Sequence, residues 1–126
     1  MKVIEIAFTC YPVTDLKTAR QFYEGVLGLV AAKVYGDEKS GWIEYNIGPG
    51  TLAIGSGAPN VKPATGGGSA GLEVDDFEAA VAHLRKSGCK FHIDPVETPV
   101  CHIAVVCDPD GNLITLHKRK SGGTFP

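Results

Sequence analysis

Residues 13–16 read Val-Thr-Asp-Leu, and a helical pattern leads from them to Leu-Gly-Leu at 27–29. The same plan recurs about 60 residues later, where Val-Asp-Asp-Phe at 74–77 leads through a helical pattern to Ser-Gly-Cys at 87–89. When Asp15 is aligned with Asp76, each helix follows a strand and ends at a glycine. A repeat of this size predicts two copies of one supersecondary unit packed together. A cleft between such copies is a natural ligand site.

The first copy reads as a strand, a helix and about three further strands. Apolar residues alternate along 3–10, which predicts the opening strand, and Pro12 closes it. Thr14 is the expected N-cap of the helix, and Gly28 its C-cap. The strands expected after the helix are 30–35, 41–47 and 51–54.

The second copy repeats this order after a linker at 56–68 that is rich in glycine and proline. A strand at 69–74 precedes a helix that begins with Asp75 and Glu78 in a capping-box-like arrangement. Strands follow at 91–93, 101–107 and 113–117, and Asp-Pro-Asp-Gly-Asn at 108–112 joins the last two as a tight turn. The prediction is one α+β domain over 1–126, with a first module at 1–55 and a second at 69–120.

Composition and net charge argue against several classes of function. The chain has 126 residues, 44% hydrophobic content and a formal net charge of −2. This charge gives no electrostatic basis for binding nucleic acid or an acidic membrane. Residues 1–10 lack the basic start and cleavage site of a secretion signal, and no apolar run is long enough to span a membrane. The four cysteines form no CxxC pair, so reduced thiols and a cytoplasmic location are expected.

Four motifs together resemble the vicinal oxygen chelate superfamily: Val-Thr-Asp-Leu at 13–16, Ala-Arg-Gln-Phe-Tyr at 19–23, Leu-Gly-Leu at 27–29 and Asp-Pro-Asp-Gly-Asn at 108–112. This superfamily includes glyoxalase I, bleomycin-resistance proteins, fosfomycin-resistance enzymes and extradiol dioxygenases. The resemblance implies two βαβββ modules, each a curved half-barrel of mixed sheet, around a cleft. It also implies a homodimer. A fold of this kind serves many activities, so it does not by itself name one.

In the metalloenzymes of that superfamily, a divalent metal is held by four side chains. The resemblance places these positions at Phe8 and Ser69, each seven residues before the aligned aspartate, and at Glu44 and Thr115. Phe8 has no donor atom, and neutral hydroxyls are poor ligands for transition metals compared with imidazole or carboxylate. Only Glu44 keeps a typical ligand. We therefore expect no metal and no other cofactor, and the resemblance leaves open whether the protein is an enzyme.

The residues predicted to line the ligand site have distinct roles. Phe8 would form an apolar floor where a metal would otherwise sit. Trp42 offers a stacking surface for a flat or cationic ligand. Glu44 is the best candidate for a catalytic base or for binding a cationic or hydroxylated group. By strand alternation His117 shares a face with Thr115. The predicted ligand-binding residues are Phe8, Trp42, Glu44, Ser69, Thr115 and His117.

Three functions remain open at this stage. The first is a protein of the bleomycin-resistance type that sequesters a small molecule without a metal. The second is a metal-dependent lyase or dioxygenase with a rearranged ligand set, such as Glu44 with His117 and another histidine. The third is an interaction protein whose cleft is filled by its own side chains, for which the bulk of Phe8 is an argument.

Overall fold

The strands form two open mixed sheets, one in each half of the chain. The computed structural model describes residues 1–59 and 62–120. Two compact units divide the chain, Met1–Pro63 and Ala64–Pro126. Residues 60 and 61 of the predicted linker, and residues 121–126, lie outside the described residues.

The first unit follows the predicted order of a strand, a helix and three strands. Its elements are β1 (Thr9–Pro12), α1 (Leu16–Arg20), a π-helical segment (Gln21–Val26), β2 (Ala31–Gly36), β3 (Gly41–Ile47) and β4 (Gly50–Ser56). The sheet order is β1-β4-β3-β2. β1 pairs in parallel with β4, whereas the other two pairs are antiparallel.

The second unit repeats this topology. Its elements are β5 (Ala70–Glu73), α2 (Phe77–Lys86), β6 (Phe91–Glu97), β7 (Cys101–Cys107) and β8 (Leu113–Arg119). The sheet order is β5-β8-β7-β6, again with one parallel pair, β5 with β8. The predicted α+β plan of two βαβββ modules is confirmed.

The opening strand is shorter than the alternation at 3–10 predicts. β1 begins at Thr9, and residues 1–8 are exposed and lie outside the strands. The cause lies in the parallel partner, because Thr9 is opposite Leu52 and β4 itself begins only two residues earlier, at Gly50. Residues before 8 would have to pair with the turn at 48–50. Pro12 is the last residue of β1, as predicted, and an edge strand tolerates a proline there.

The helix caps lie one residue later than predicted. The N-caps are Asp15 and Asp76, whose side chains accept from the backbone N–H of Lys17 and Ala79. Their backbone angles are nearly the same, with φ −137° and ψ 111° at Asp15 and φ −135° and ψ 102° at Asp76. The predictions of Thr14 and of a capping box at Asp75 are therefore wrong. The two aspartates that define the sequence repeat are equivalent in structure.

This assignment of the cap can be tested with two adjacent substitutions. Asp76→Ala is expected to lower the free energy of unfolding by about 1 kcal/mol, because the N–H of Ala79 loses its acceptor at 3.0 Å. Asp75→Ala, on the exposed neighbour, is expected to change it by less than about 0.5 kcal/mol. Urea unfolding of both variants measures the difference. Equal losses at the two positions would contradict the assignment.

The π-helical segment absorbs one extra residue in the first helix. Gly28 lies 13 residues after its cap Asp15, whereas Gly88 lies 12 residues after Asp76, and both glycines adopt positive φ. Beyond Gly88 the N–H of Cys89 donates to the carbonyl of Leu84, but beyond Gly28 the N–H of Leu29 reaches the carbonyl of Tyr23, one residue further back. A wider π-helical turn accommodates such an additional residue between matched ends.

In each unit the helix covers one face of the sheet. In the first unit the side chains of Ile43, Tyr45 and Ile54 are fully buried, and Tyr23 stacks on Tyr45 with 6.1 Å between ring centroids. In the second unit Leu84, Val106 and Ile114 are buried in the same way. The opposite faces carry the predicted site residues. Within 1–59 and 62–120, no helix is long and apolar enough to cross a membrane.

Candidate functional site

In the first unit, three predicted site residues lie together on the sheet face away from the helix. Trp42 and Glu44 alternate with the buried Ile43 on β3, and the indole Nε1 of Trp42 donates to Oε2 of Glu44 at 2.9 Å. The ring of Phe8 contacts Trp42 edge-on, with 5.2 Å between centroids and 84° between planes. Phe8 is 49% exposed. The three side chains form an aromatic patch with a carboxylate at its edge, which we call the Trp42 face.

Glycine on the neighbouring strand makes room for the indole. Gly55 of β4 is opposite Trp42, and a Cβ at this position would lie 2.9 Å from Cε3 of the tryptophan. That distance is shorter than carbon atoms tolerate in contact. The indole of Trp42 therefore lies close to the backbone of β4 at Gly55. The carboxylate of Glu44 then holds the indole in its plane.

In the second unit, the three remaining predicted residues lie on the face away from α2. Ser69 and Thr115 share a hydrogen bond, with 2.6 Å between their hydroxyl oxygens. His117 follows Thr115 on the same face of β8, and its Nδ1 lies 2.5 Å from Oε1 of Glu73. A cavity of about 270 Å³ opens here and is lined by Gly71, Glu73, Thr115, His117 and Arg119. We call it the His117 cavity.

Glu73 is fixed by two interactions. Its Oε1 contacts the histidine, and its Oε2 accepts from the backbone N–H of Arg119 at 2.8 Å. The N–H of Arg119, first, and then His117 hold the pKa of this carboxyl below its usual range. The carboxylate is therefore ionised at neutral pH and orients the imidazole.

Neither Glu73 nor Arg119 was predicted to be a site residue. Strand alternation contains the signal for both. Glu73 is four residues after Ser69, which directly precedes β5, and Arg119 shares the face of His117 on β8. Their contact with the histidine depends on the parallel pairing of Glu73 opposite His117. The register of this strand pair cannot be predicted from the sequence of either strand alone.

The donor set does not fit the divalent metal that the resemblance implies. At the four corresponding positions, Phe8 offers a ring, Ser69 and Thr115 bond to each other, and Glu44 accepts from an indole. Among residues 1–59 and 62–120, no group of three His, Cys, Asp or Glu side chains could hold a metal ion. The rearranged set of Glu44 with two histidines gains no support from this geometry.

The chain matches a known protein family. The family model of the Glyoxalase/Bleomycin resistance protein/Dioxygenase superfamily matches residues 5–116. No curated protein matches the chain.

Two of the similar solved structures come from Streptomyces sp. CB03234. The first is TnmS3, described as an antibiotic binding protein, with 25% identity and a TM-score of 0.78 over 95% of this chain and 99% of that one. The second is described as a glyoxalase/bleomycin resistance protein, with 27% identity and a TM-score of 0.73 over 89% and 98%. UcmS2 shares the fold at 21% identity, with a TM-score of 0.76 over 92% and 98%.

Proposed function

Because the chain belongs to the glyoxalase/bleomycin resistance protein/dioxygenase superfamily, we propose that it binds a small organic molecule without a metal centre and acts by sequestering it. One observation carries this proposal, namely the Trp42 face. It presents two aromatic rings and a carboxylate, and two of these residues, Phe8 and Glu44, are at positions where the resemblance implies metal ligands in the metalloenzymes of the family. An aromatic surface bordered by a few polar groups is typical of small-molecule sites.

The chemistry of the Trp42 face favours a flat ligand. Trp42 is fixed by Gly55 and Glu44, so it loses little rotamer freedom when a ring stacks on it. The half-exposed Phe8 has apolar surface that a ligand would remove from water. Glu44 adds a negative charge next to the rings, which favours a ligand with a cationic or hydroxylated edge.

Ser69, Thr115 and His117 supply hydroxyl and imidazole groups in the second unit. Their participation in the same ligand site as the Trp42 face stays a prediction from the resemblance. A double-mutant cycle between Glu44 and His117 would measure it as a coupling in ligand affinity. A homodimer and a cytoplasmic location likewise stay predictions.

The similar structure described as an antibiotic binding protein indicates which compounds to test first. The chain has a single tryptophan, so its fluorescence reports on the Trp42 face alone. We expect at least one member of a panel of polycyclic antibiotics and bleomycin to quench this fluorescence saturably. The recovered compound should be chemically unchanged after long incubation, since sequestration involves no turnover.

Substitutions on the Trp42 face should then weaken binding of that compound. Trp42→Leu is expected to lower affinity about tenfold or more by calorimetry, because stacking and its apolar contact are lost. Phe91→Leu, an aromatic residue on β6 of the second unit, serves as the matched control and should leave affinity unchanged. Equal affinities in both variants would contradict the proposal. So would a stoichiometric divalent metal that is retained by the wild type and lost on Glu44→Ala.

A further inference from the structure

Another cavity lies in the first unit, on the side of the sheet that carries the helix. Its volume is about 290 Å³. α1 contributes Lys17 and Arg20 to its lining, and the turn after β2 contributes Asp37 and Glu38. Ile43 also lines it, and this buried side chain points to the helix side of β3, opposite to the Trp42 face. We call it the Lys17 cavity.

The cavity exists because the helix does not cover the edge strand. β2 is at the edge of the sheet, and Val34 is opposite Ile43 on β3, so the two side chains share a face. Ile43 is 1% exposed, whereas Val34 is 54% exposed. Leu16 of α1 is buried beside them and completes an apolar floor. A ligand in the cavity would remove the apolar surface of Val34 from water.

In the second unit, by contrast, the helix contacts the corresponding edge strand, β6. The guanidinium of Arg85 on α2 lies 4.3 Å from the ring centroid of Phe91, and its Nη2 lies 3.5 Å from Oδ1 of Asp94. Among the residues that the structure describes, neither Lys17 nor Arg20 forms an ion pair or a ring contact with β2. The space between helix and edge strand is therefore open to a ligand in the first unit.

The two walls of the Lys17 cavity carry opposite charges that do not neutralise each other. Across the described parts of the chain, the ammonium of Lys17 and the carboxylate of Glu38 are in no hydrogen bond or ion pair. The backbone N–H groups of Ser40, first, and of Lys39 hold the pKa of Asp37 below its usual range, so this carboxylate is ionised at neutral pH. Both bonds go to its Oδ1 and neither involves Oδ2. A ligand with both charges would complement both walls.

Both walls are also held in place before any ligand binds. Nε and Nη2 of Arg20 donate to the carboxylate of Glu24 at 2.6 and 3.2 Å, which fixes the planar guanidinium, and Nη1 is in neither bond. On the acidic wall, the carbonyl of Glu38 accepts from Oγ of Ser56 at 3.5 Å. Groups that are already ordered lose little conformational freedom on binding.

We propose that the Lys17 cavity binds a free α-amino acid with a branched apolar side chain. The carboxylate of the ligand lies at Lys17 and Arg20, its ammonium lies at Asp37 and Glu38, and its side chain covers Val34. The volume of about 290 Å³ is at the lower end of the range for small-molecule sites, which favours a ligand of this size over a polycyclic one. The inference is independent of the proposed function, because the cavity and the Trp42 face are on opposite sides of β3.

The experiment uses L-leucine as the probe, in a ligand-observed NMR titration of the full-length protein at neutral pH. Three analogues each lack one feature. Isoamylamine lacks the carboxylate, 4-methylpentanoate lacks the ammonium, and glycine lacks the side chain. We expect saturable binding of L-leucine, with an affinity about tenfold above that of each singly charged analogue, because each analogue leaves one charged wall without a partner. Glycine should bind more weakly than L-leucine, since it leaves Val34 in water.

Two variants should affect the analogues in opposite ways. Lys17→Gln is expected to lower the affinity for L-leucine and for 4-methylpentanoate about threefold and to leave that for isoamylamine unchanged. Glu38→Gln should lower the affinity for L-leucine and for isoamylamine and leave that for 4-methylpentanoate unchanged. Lys39→Gln removes the same charge as Lys17→Gln from a residue outside the lining, so it is the matched control and should behave as the wild type. All three positions are exposed, so the variants should fold.

The outcomes distinguish this inference from the proposed function. Absence of saturable L-leucine binding, equal affinities for L-leucine and both singly charged analogues, or a Lys17→Gln variant that matches Lys39→Gln would each overturn the inference. A saturable change in tryptophan fluorescence on adding L-leucine would also overturn it, because the ligand would then contact the Trp42 face. None of these results alters the response of Trp42 to the antibiotic panel. Loss of that response with L-leucine binding intact would overturn the sequestration proposal alone.

Discussion

Tyr45→Ala is expected to lower the free energy of unfolding by about 4 kcal/mol, in the range measured when a buried aromatic residue is truncated. Tyr45 is fully buried on β3 and stacks on Tyr23. Its hydroxyl donates to Oε2 of Glu24 at 2.9 Å, and Glu24 also accepts two bonds from Arg20, at 2.6 and 3.2 Å. The truncation leaves a cavity and removes one donor from a partly buried carboxylate.

Burial, and secondly the bond to Glu24, raise the pKa of the Tyr45 hydroxyl, whereas Arg20 above all lowers the pKa of Glu24. The pair is therefore a neutral donor and an ionised acceptor at neutral pH. Tyr45→Phe keeps the ring and removes only the donor, so it should cost about 1 kcal/mol. Tyr35→Ala, at a half-exposed ring, should cost less than either. Urea unfolding orders the three variants, and a loss at Tyr35 equal to that at Tyr45 would contradict the argument.

Asp108→Ala is expected to cost about 3 kcal/mol, because one buried carboxylate organises the whole turn at 108–112. Its Oδ1 accepts from the backbone N–H of Asp110 and Asn112, each at 2.9 Å, and its Oδ2 accepts from the side-chain amide of Asn112 at 2.8 Å. Asp108 and Asn112 are both buried. The substitution would leave the N–H of Asp110 and the two donors of Asn112 without their acceptor where water has little access. Each group left unsatisfied costs about 1–3 kcal/mol.

Asp108→Asn distinguishes the contributions of the two carboxylate oxygens to stability. Its amide oxygen can still accept the two backbone N–H groups, but its amide nitrogen would face that of Asn112. An intermediate loss is therefore expected in thermal unfolding. Asp75→Ala is the matched exposed control. If Asp108→Ala proved no more harmful than this control, the turn would not depend on the carboxylate.

Elements that depend on local patterns could be predicted well from the sequence. The bounds of β3 and β7 match the predictions, because alternation and flanking turns define them on one strand. An opening strand was predicted, but the bounds of β1 could not be, since its length depends on where its parallel partner β4 begins. The π-helical segment was not predicted either, because it reflects a difference in length between two helices with matched ends.

The site residues on one strand could also be predicted, whereas contacts between strands could not. Alternation on single strands placed Trp42 with Glu44, and Thr115 with His117. The bond between Ser69 and Thr115, and the contact between Glu73 and His117, depend on the register of β5 beside β8. A parallel pair of strands distant in the sequence carries no local turn that would fix this register.

The parallel pairing also sets an order of events during synthesis. β1 is made before the other strands of the first unit, yet its partner residues, Leu52–Gly55, belong to the last strand of that unit. The antiparallel hairpin of β3 and β4 joins strands that adjoin one turn at 48–50, so it can form as soon as β4 emerges. β1 therefore forms no strand pair until β4 has been made. Nascent chains whose emerged part ends just before and just after β4 should differ sharply in protease resistance.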